Sequence, residues 1–117
     1  MTAQKRFGMK PDYTSAWINL STGLGGSVAH GLGVNPQHVE IELKCVNADL
    51  NYSANDILRG GFTGKAAAGY AIKTDATNLD YRLENSTIFK INDWSDGSPK
   101  DPDVATPDWQ IRFLAWR

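Results

Sequence analysis

The residues best suited to recognition chemistry lie in a loop-forming stretch near the C-terminal end of this 117-residue chain. Residues 93–108 hold five aspartates and one lysine, and Trp94 lies among them with no alternating apolar neighbour. An exposed indole there needs a cover, which can be its own loop, a subunit or a ligand. A sugar ring offers C–H groups to an aromatic face and hydroxyls to carboxylates. The stretch therefore predicts a carbohydrate site at Trp94, Asp93 and Asp96, with the alternative that Trp94 plugs the end of the fold.

A second loop, residues 49–59, offers a further set of recognition groups. Tyr52 supplies a ring, Asp56 a hydrogen-bond acceptor and Arg59 a forked donor. We predict that these three side chains also belong to the carbohydrate site. The alternative is a solvated loop in which Asp56 and Arg59 pair with each other, an arrangement that contributes little at a surface.

Metal binding is the next chemistry to consider. Oxygen ligands for calcium are plentiful in the aspartate-rich stretch, but Trp94 and Ser95 occupy positions at which an EF-hand loop needs carboxylates. His30 and His38 have no third or fourth soft ligand nearby, and we expect them to be structural. We therefore predict no metal and no cofactor, with calcium at the aspartate-rich stretch as the alternative.

The sequence lacks the motifs of the common catalytic classes. No serine lies in a Gly-x-Ser-x-Gly turn, and neither histidine is placed to activate a nucleophile. The glycines at residues 60–64 look like part of a phosphate-binding loop, but their spacing is wrong and Ala66 replaces the hydroxyl that would hold Mg²⁺. A hydrolase acting through the aspartates needs two carboxyl groups at a set separation, which the sequence does not indicate. We predict that the protein is not an enzyme.

Composition narrows the classes of partner. The formal net charge of -1 gives no general attraction to nucleic acid or to anionic lipid. No apolar run approaches the roughly 20 residues of a membrane span, and residues 1–6 lack the apolar segment of a secretory signal. We therefore expect synthesis in the cytoplasm without a signal peptide, no nucleic-acid partner and no membrane insertion. Cys45 is the single cysteine, and we expect it to be a buried, unreactive thiol.

A strongly patterned strand organises the elements that must position these loops. Apolar and charged side chains alternate strictly over residues 39–45, which predicts a strand with one buried and one wetted face. Before it, Gly31 and Gly33 allow positive φ and Pro36 ends ladder pairing. We therefore predict a structured turn at residues 31–36 between this strand and a shorter extended segment.

The remaining strands follow from the same alternation. The last strand has one apolar face and a second face, with Leu114 and Trp116, that is only half polar. We expect cover on both faces, for which a neighbouring subunit is one candidate. The sequence thus predicts an all-β fold, an antiparallel β-sandwich of about six to seven strands over residues 12–117, after an arm or tether at residues 1–11. The predicted strands are 13–20, 27–30, 39–45, 70–74, 79–83, 87–91 and 109–117.

Three segments in this order resemble the C-terminal or stand-alone modules of bacteriophage tail-fibre and related virion proteins. They are YTSAWI at residues 13–18, VAHGLGVNP at 28–36 and VEIEL at 39–43. Those modules begin with a similar Y-x-S-x-W strand and continue with H-G-L-G-x-x-P before a long strand. The layout is also similar to H-type lectin domains, small β-sandwiches that assemble as trimers or trimer pairs and bind sugars of the N-acetylgalactosamine type.

The resemblance implies a tail-associated virion protein that recognises host-surface carbohydrate as a homo-oligomer. Residues 1–11 would then join the module to other virion proteins. In the lectins the sugar lies at a subunit boundary among aromatic, Asp and Arg side chains, which here carries over to Trp94, Asp93, Asp56 and Arg59. The alternative is a purely structural virion component, a decoration or tail-tip cap without a sugar site, in which Trp94 is buried.

Overall fold

The structure is a computed structural model that describes residues 10–20, 25–59, 62–64, 70–83, 89–91, 94–97 and 108–117. Residues 1–9 of the predicted arm lie outside this set. Ten strands fall within the described residues, and all their pairings are antiparallel. They are β1 (Tyr13–Thr14), β2 (Ile18–Asn19), β3 (Gly25–Ala29), β4 (His38–Cys45), β5 (Ile57–Leu58), β6 (Phe62–Gly64), β7 (Tyr70–Thr74), β8 (Asn78–Leu83), β9 (Phe89–Ile91) and β10 (Trp109–Trp116).

The first sheet is built on the two longest strands, β4 and β10. They pair over their full length, from Trp109 opposite Cys45 to Trp116 opposite His38. β5 extends the sheet beyond β4, and the short strands β1 and β2 share the far edge of β10. All the strands of this sheet are therefore aligned on a single pair of long strands.

The buried face predicted for residues 39–45 is confirmed, but the predicted wetted face is wrong at Glu42, which is also buried. Ile41, Leu43 and Cys45 are buried on one face, and Val39 packs against the same core from a half-buried position. Fully burying a side chain such as Leu43 stabilises the fold by about 1.5–3 kcal/mol relative to leaving it exposed. β10 contributes the facing apolar row, Trp109, Ile111, Phe113 and Ala115.

The second sheet has the order β3-β8-β7 and closes over this core. The predicted hairpin is confirmed as the β7–β8 pair. Leu79 and Leu83 of β8 are buried in the core cluster, and the Tyr81 ring lies 4.8 Å from the Phe113 ring of the first sheet. β6 and β9 form a separate two-stranded ladder. The fold is thus all-β and β-sandwich-like, with apolar side chains from both larger sheets in one core.

The prediction of one continuous strand over residues 13–20 is wrong, because the chain leaves the sheet between β1 and β2. Ser15 lies in this break and is buried. Its N–H donates to the Phe113 carbonyl (2.9 Å), and its Oγ accepts from the Phe113 N–H (2.9 Å) while donating to the Ala16 carbonyl. The hydroxyl thus substitutes for a backbone carbonyl in the ladder. The segment can bend there because the Phe113 N–H still has an acceptor. Ala16 is exposed rather than buried as the alternation predicted.

Both faces of β10 are covered at its C-terminal end, as the half-polar second face predicted. Leu114 and Trp116 are buried within the single chain. The Trp116 ring lies 5.3 Å from that of His38, directly across the ladder. A neighbouring subunit is therefore not needed to cover this face.

The predicted turn after β3 has the expected backbone geometry, with Gly31 at φ 68° and Gly33 at φ 76°. His30 at its start is buried and joins two turns. The Leu32 N–H donates to Nδ1 (3.0 Å), so Nε2 is the nitrogen that donates to the Asp75 carbonyl (2.8 Å). The Asp75 carboxylate in turn accepts from the Asn78 and Thr77 N–H groups, which lower its pKa. The described contacts of His30 are thus structural.

Replacing Ser15 by Ala tests its role in the ladder. The Phe113 N–H would lose its acceptor in a buried position, so we expect Ser15→Ala to lower the free energy of unfolding by about 1–3 kcal/mol. Urea denaturation followed by circular dichroism measures this loss. The matched control is Ser27→Ala on exposed β3, which should change stability by less than about 0.5 kcal/mol. Equal effects of the two changes would contradict the assignment.

Candidate functional site

Three aromatic rings form a column from the core to the surface at the end of the first sheet where β10 begins. Trp109 is 1% exposed, and the Tyr52 ring meets it edge-on at 5.6 Å between centroids. The Trp94 ring follows at 5.8 Å from that of Tyr52. Exposure rises along the column from 1% to 8% to 70%. We call these three residues the aromatic column.

A tight turn between β4 and β5 positions the middle of the column. Asp49 and Tyr52 bridge each other, with the Tyr52 N–H donating to the Asp49 carbonyl at 2.8 Å. The two residues between them, Leu50 and Asn51, have φ of 52° and 65°. Two successive positive φ values are typical of a type I′ turn, which usually takes Asn or Gly. A leucine in this region is strained, and its packing against the core offsets part of the cost.

The same turn holds the outer end of the column. The Leu50 carbonyl accepts from the Trp94 N–H at 3.0 Å, and the Asn51 side-chain amide donates to the Ser95 hydroxyl at 3.2 Å. Gly97, at φ 73°, closes the turn that follows. The Trp94 ring is exposed, but its backbone is bound to a rigid neighbour. Trp94 therefore does not fill the end of the fold in the single chain.

Asp49 is a residue of this site that the sequence analysis did not single out. Its Oδ2 accepts from the indole Nε1–H of buried Trp109 at 2.8 Å. A buried indole N–H needs an acceptor. The Asp49 carboxylate supplies one from a position 60 residues away in the chain. In the sequence, a buried Trp109 indicates that its indole N–H needs an acceptor. The sequence does not identify which residue provides that acceptor.

The structure brings together only some of the predicted site residues. Trp94 and Tyr52 lie together in the aromatic column, and Asp96 is exposed in the same turn as Trp94. Asp93 lies outside the described residues. The Asp56 carboxylate accepts from the Ser53 N–H at 2.8 Å and so closes a turn over residues 53–56. This turn directly follows Tyr52 in the chain.

The predicted Asp56–Arg59 pair is wrong, because Arg59 turns to the opposite face of the sheet. Leu58 of β5 lies opposite Leu43 and packs against the core. Since side chains alternate along a strand, Arg59 points outward beside Glu42. Its Nε lies 2.9 Å from Glu42 Oε2.

Glu42 is the centre of an outer cluster on that face. It is buried and binds Arg112 as well, whose Nε and Nη2 lie 2.7 and 2.6 Å from Oε1. The Trp17 ring covers the Arg112 guanidinium at 4.3 Å and also meets the Lys44 ammonium at 5.0 Å. The outer cluster, Glu42, Arg59, Arg112 and Trp17, is thus separate from the aromatic column.

Metal binding, thiol chemistry and membrane insertion each require particular groups within the described residues. Among them, no three or more His, Cys, Asp or Glu side chains come together in a way that could hold a metal ion. Cys45 is buried as expected, and its burial raises the pKa of the thiol. No helix in this part of the chain is long and apolar enough to cross a membrane.

The chain matches no protein-family model and no curated protein sequence.

Removing the Asp49 carboxylate tests what supports the aromatic column. Asp49→Ala would leave the buried Trp109 N–H without its acceptor, so we expect a loss of about 1–3 kcal/mol in the free energy of unfolding. Asp49→Asn keeps an acceptor oxygen of the same shape and should lose less. Urea denaturation read by circular dichroism avoids the change in tryptophan fluorescence that both variants cause. If the alanine and asparagine variants unfold at the same urea concentration, the hydrogen bond does not stabilise the site.

Proposed function

We propose that this chain is a carbohydrate-binding β-sandwich module of a bacteriophage tail fibre or related virion protein, similar to the H-type lectin domain. The observation that carries the proposal is the Trp94 ring, which is 70% exposed on a backbone fixed to the neighbouring turn. Exposing an indole of this size costs free energy unless a ligand uses the surface. The order of the segments at residues 13–18, 28–36 and 39–43 supports the assignment to a virion module.

The groups around the ring suit a saccharide. The face of the indole accepts the C–H groups of a sugar ring. Asn51, Ser95 and Asp96 supply amide, hydroxyl and carboxylate groups beside it for the sugar hydroxyls. These groups lie on the surface, so the site would take the end of a glycan chain without burying much of it. A shallow site of this kind gives modest affinity for each copy.

The fixed backbone lowers the cost of binding. The turn at residues 49–52 and the Trp94–Leu50 hydrogen bond fix the backbone next to the ring. Binding would then order few protein groups, and less of the interaction energy would be lost to conformational entropy.

The proposed assembly is a homo-oligomer, a trimer or a pair of trimers, on the surface of the virion and bound there to other virion proteins. This part rests on the resemblance, since Leu114 and Trp116 are already buried by the chain itself. Several shallow sites on one rigid particle gain avidity through their effective concentration. A receptor-binding module benefits from this because each contact with the host surface can be weak.

Light scattering after size exclusion tests the assembly. For a 12.8 kDa chain we expect a mass of about three chains, or twice that, at micromolar concentration. A single-chain mass across the concentration range would remove the trimer from the proposal. It would leave the carbohydrate site unaffected, because the aromatic column is formed within one chain.

A purely structural virion component without a sugar site remains the competing function. That interpretation predicts a buried Trp94, and in the single chain the ring is exposed. It would still apply if a neighbouring protein covered the ring. A glycan array separates the two functions, because the structural component binds no glycan.

The array experiment uses variants of Trp94 that separate aromatic from apolar contact. We expect Trp94→Leu, which keeps an apolar side chain but no ring, to weaken glycan binding about 30-fold, corresponding to about 2 kcal/mol. Trp94→Phe keeps a ring face and should retain part of the affinity. Since the side chain is exposed, both variants should keep the wild-type melting temperature.

The control for general loss of exposed apolar surface is Val34→Ala in the turn after β3, where the side chain is also exposed. It should bind like the wild type. Absence of any glycan ligand for the wild-type oligomer, or equal binding by the leucine and phenylalanine variants, would count against a sugar site at Trp94.

A further inference from the structure

A groove of about 420 Å³ opens between the two larger sheets, along the edge where β4 and β7 face each other. Its volume lies within the roughly 300–1,000 Å³ range of small-ligand sites. β5 pairs with β4 at Leu43 and Lys44. Within the described part of the chain, the same edge of β4 has no paired strand from His38 to Glu42. β7 is the last strand of its own sheet. The groove is lined by Val39, Glu40, Ile41, Arg59, Tyr70, Ile72 and Thr74.

Arg59 gives the groove a positive charge that the outer cluster does not balance. Glu42 carries one negative charge and faces two guanidinium groups. Arg112 binds it through two nitrogens and is stacked under Trp17. Among the described residues, Arg59 meets Glu42 through its Nε, and its side chain is 66% exposed. The buried carboxylate thus holds the Arg59 guanidinium in place while leaving it able to bind an anion with its remaining N–H groups.

The wall opposite Arg59 suits a sugar ring. Tyr70 is an exposed aromatic residue, and Ile72 adds apolar surface beside it on the same strand. Thr74 at the far end is fixed by a hydrogen bond from its hydroxyl to the Asn35 amide oxygen at 2.6 Å. Glu40 lies in the groove with its carboxylate bound to His38 at 2.7 Å. The groove therefore combines a ring face, hydroxyl-binding oxygens and a cation.

We propose that this groove is a second saccharide site, specific for an acidic sugar such as a hexuronate. The sugar carboxylate binds Arg59 and the ring packs against Tyr70. In taking the ligand to be a saccharide, the inference rests on the proposed function, but it uses none of the residues of the aromatic column. A sugar carboxylate would give the Arg59 guanidinium a second anionic contact, because Arg59 shares the single Glu42 carboxylate with Arg112, and a neutral sugar cannot provide this contact.

A larger concavity of about 710 Å³ lies along the second sheet and supplies the control. Its charged residues Lys73 and Asp80 lie 4.0 Å apart and face each other. Arg82 is an exposed arginine in this concavity and forms no ion pair with another of the residues that the structure describes. It matches Arg59 in side chain and exposure without the proposed ring wall.

The experiment titrates the ¹⁵N-labelled full chain with methyl glucuronide, methyl glucoside and inorganic phosphate, followed by amide and indole NMR signals. We expect the glucuronide to shift signals of Arg59 and Tyr70 and to bind at least tenfold more tightly than the glucoside at this groove. Arg59→Gln should weaken glucuronide binding about tenfold or more. Tyr70→Ala should weaken the glucuronide while leaving phosphate binding unchanged. Arg82→Gln should bind like the wild type.

The outcomes separate this site from the one at Trp94. Trp94→Leu should leave glucuronide binding in the groove intact, so loss of the Trp94 site alone would not affect the inference. Unchanged glucuronide affinity in Arg59→Gln, an equal loss in Arg82→Gln, or phosphate binding as tight as the glucuronide would overturn it. Since Glu42 keeps Arg112 in the Arg59 variant, we expect that variant to fold, and its melting temperature confirms this before the titration.

Discussion

The antiparallel pairing of β4 with β10 brings together residues that lie some seventy positions apart in the chain and holds them over eight opposed residue pairs. One face of this pair carries the core, with Leu43 opposite Ile111. The other face carries Glu42 opposite Arg112. The end of the pair, Cys45 opposite Trp109, supports the aromatic column. Because side chains alternate strictly along paired strands, a shift of one residue in this register would exchange the core with the charged face. Both candidate sites depend on this register.

In the outer cluster, the register of β4 and β10 buries the Glu42 carboxylate at a place where it positions Arg59 and Arg112. Removing a carboxylate such as Glu42 from water costs several kcal/mol unless it is paired and hydrogen-bonded. Arg112 and Arg59 provide those bonds, and Trp17 shields one of the two guanidinium groups. The second guanidinium is left at the mouth of the groove between the sheets. Removing Glu42 alone would leave the Arg112 and Arg59 guanidinium groups without their shared carboxylate, so this buried charge positions both arginines.

The aromatic column combines two features that reduce stability at the same place. Leu50 has a backbone conformation that leucine rarely adopts, and Trp94 exposes most of its ring. The strained turn places the Leu50 carbonyl where it accepts from the Trp94 N–H. The Leu50 conformation therefore fixes the backbone that carries the exposed Trp94 ring. Strain and exposed apolar surface that support each other are typical of a binding site. Trp109 and Tyr52 belong to the buried core cluster, Leu50 packs against it, and the Trp94 ring lies outside it.

The sequence by itself determined the parts of the fold that local patterns control. Four features could be predicted because each depends on side-chain period or backbone freedom within a few residues. They are the buried face of residues 39–45, the positive φ of Gly31 and Gly33, the β7–β8 hairpin and the cover on both faces of β10.

The tertiary structure alone decided the long-range partners. Ser15 replaces a carbonyl in the ladder of a strand 98 residues away, Asp49 accepts from Trp109, and Arg59 pairs with Glu42 rather than with its near neighbour Asp56. A polar side chain has several equally suitable partners in the sequence. Only the register of the paired strands decides which of them lies within hydrogen-bonding distance.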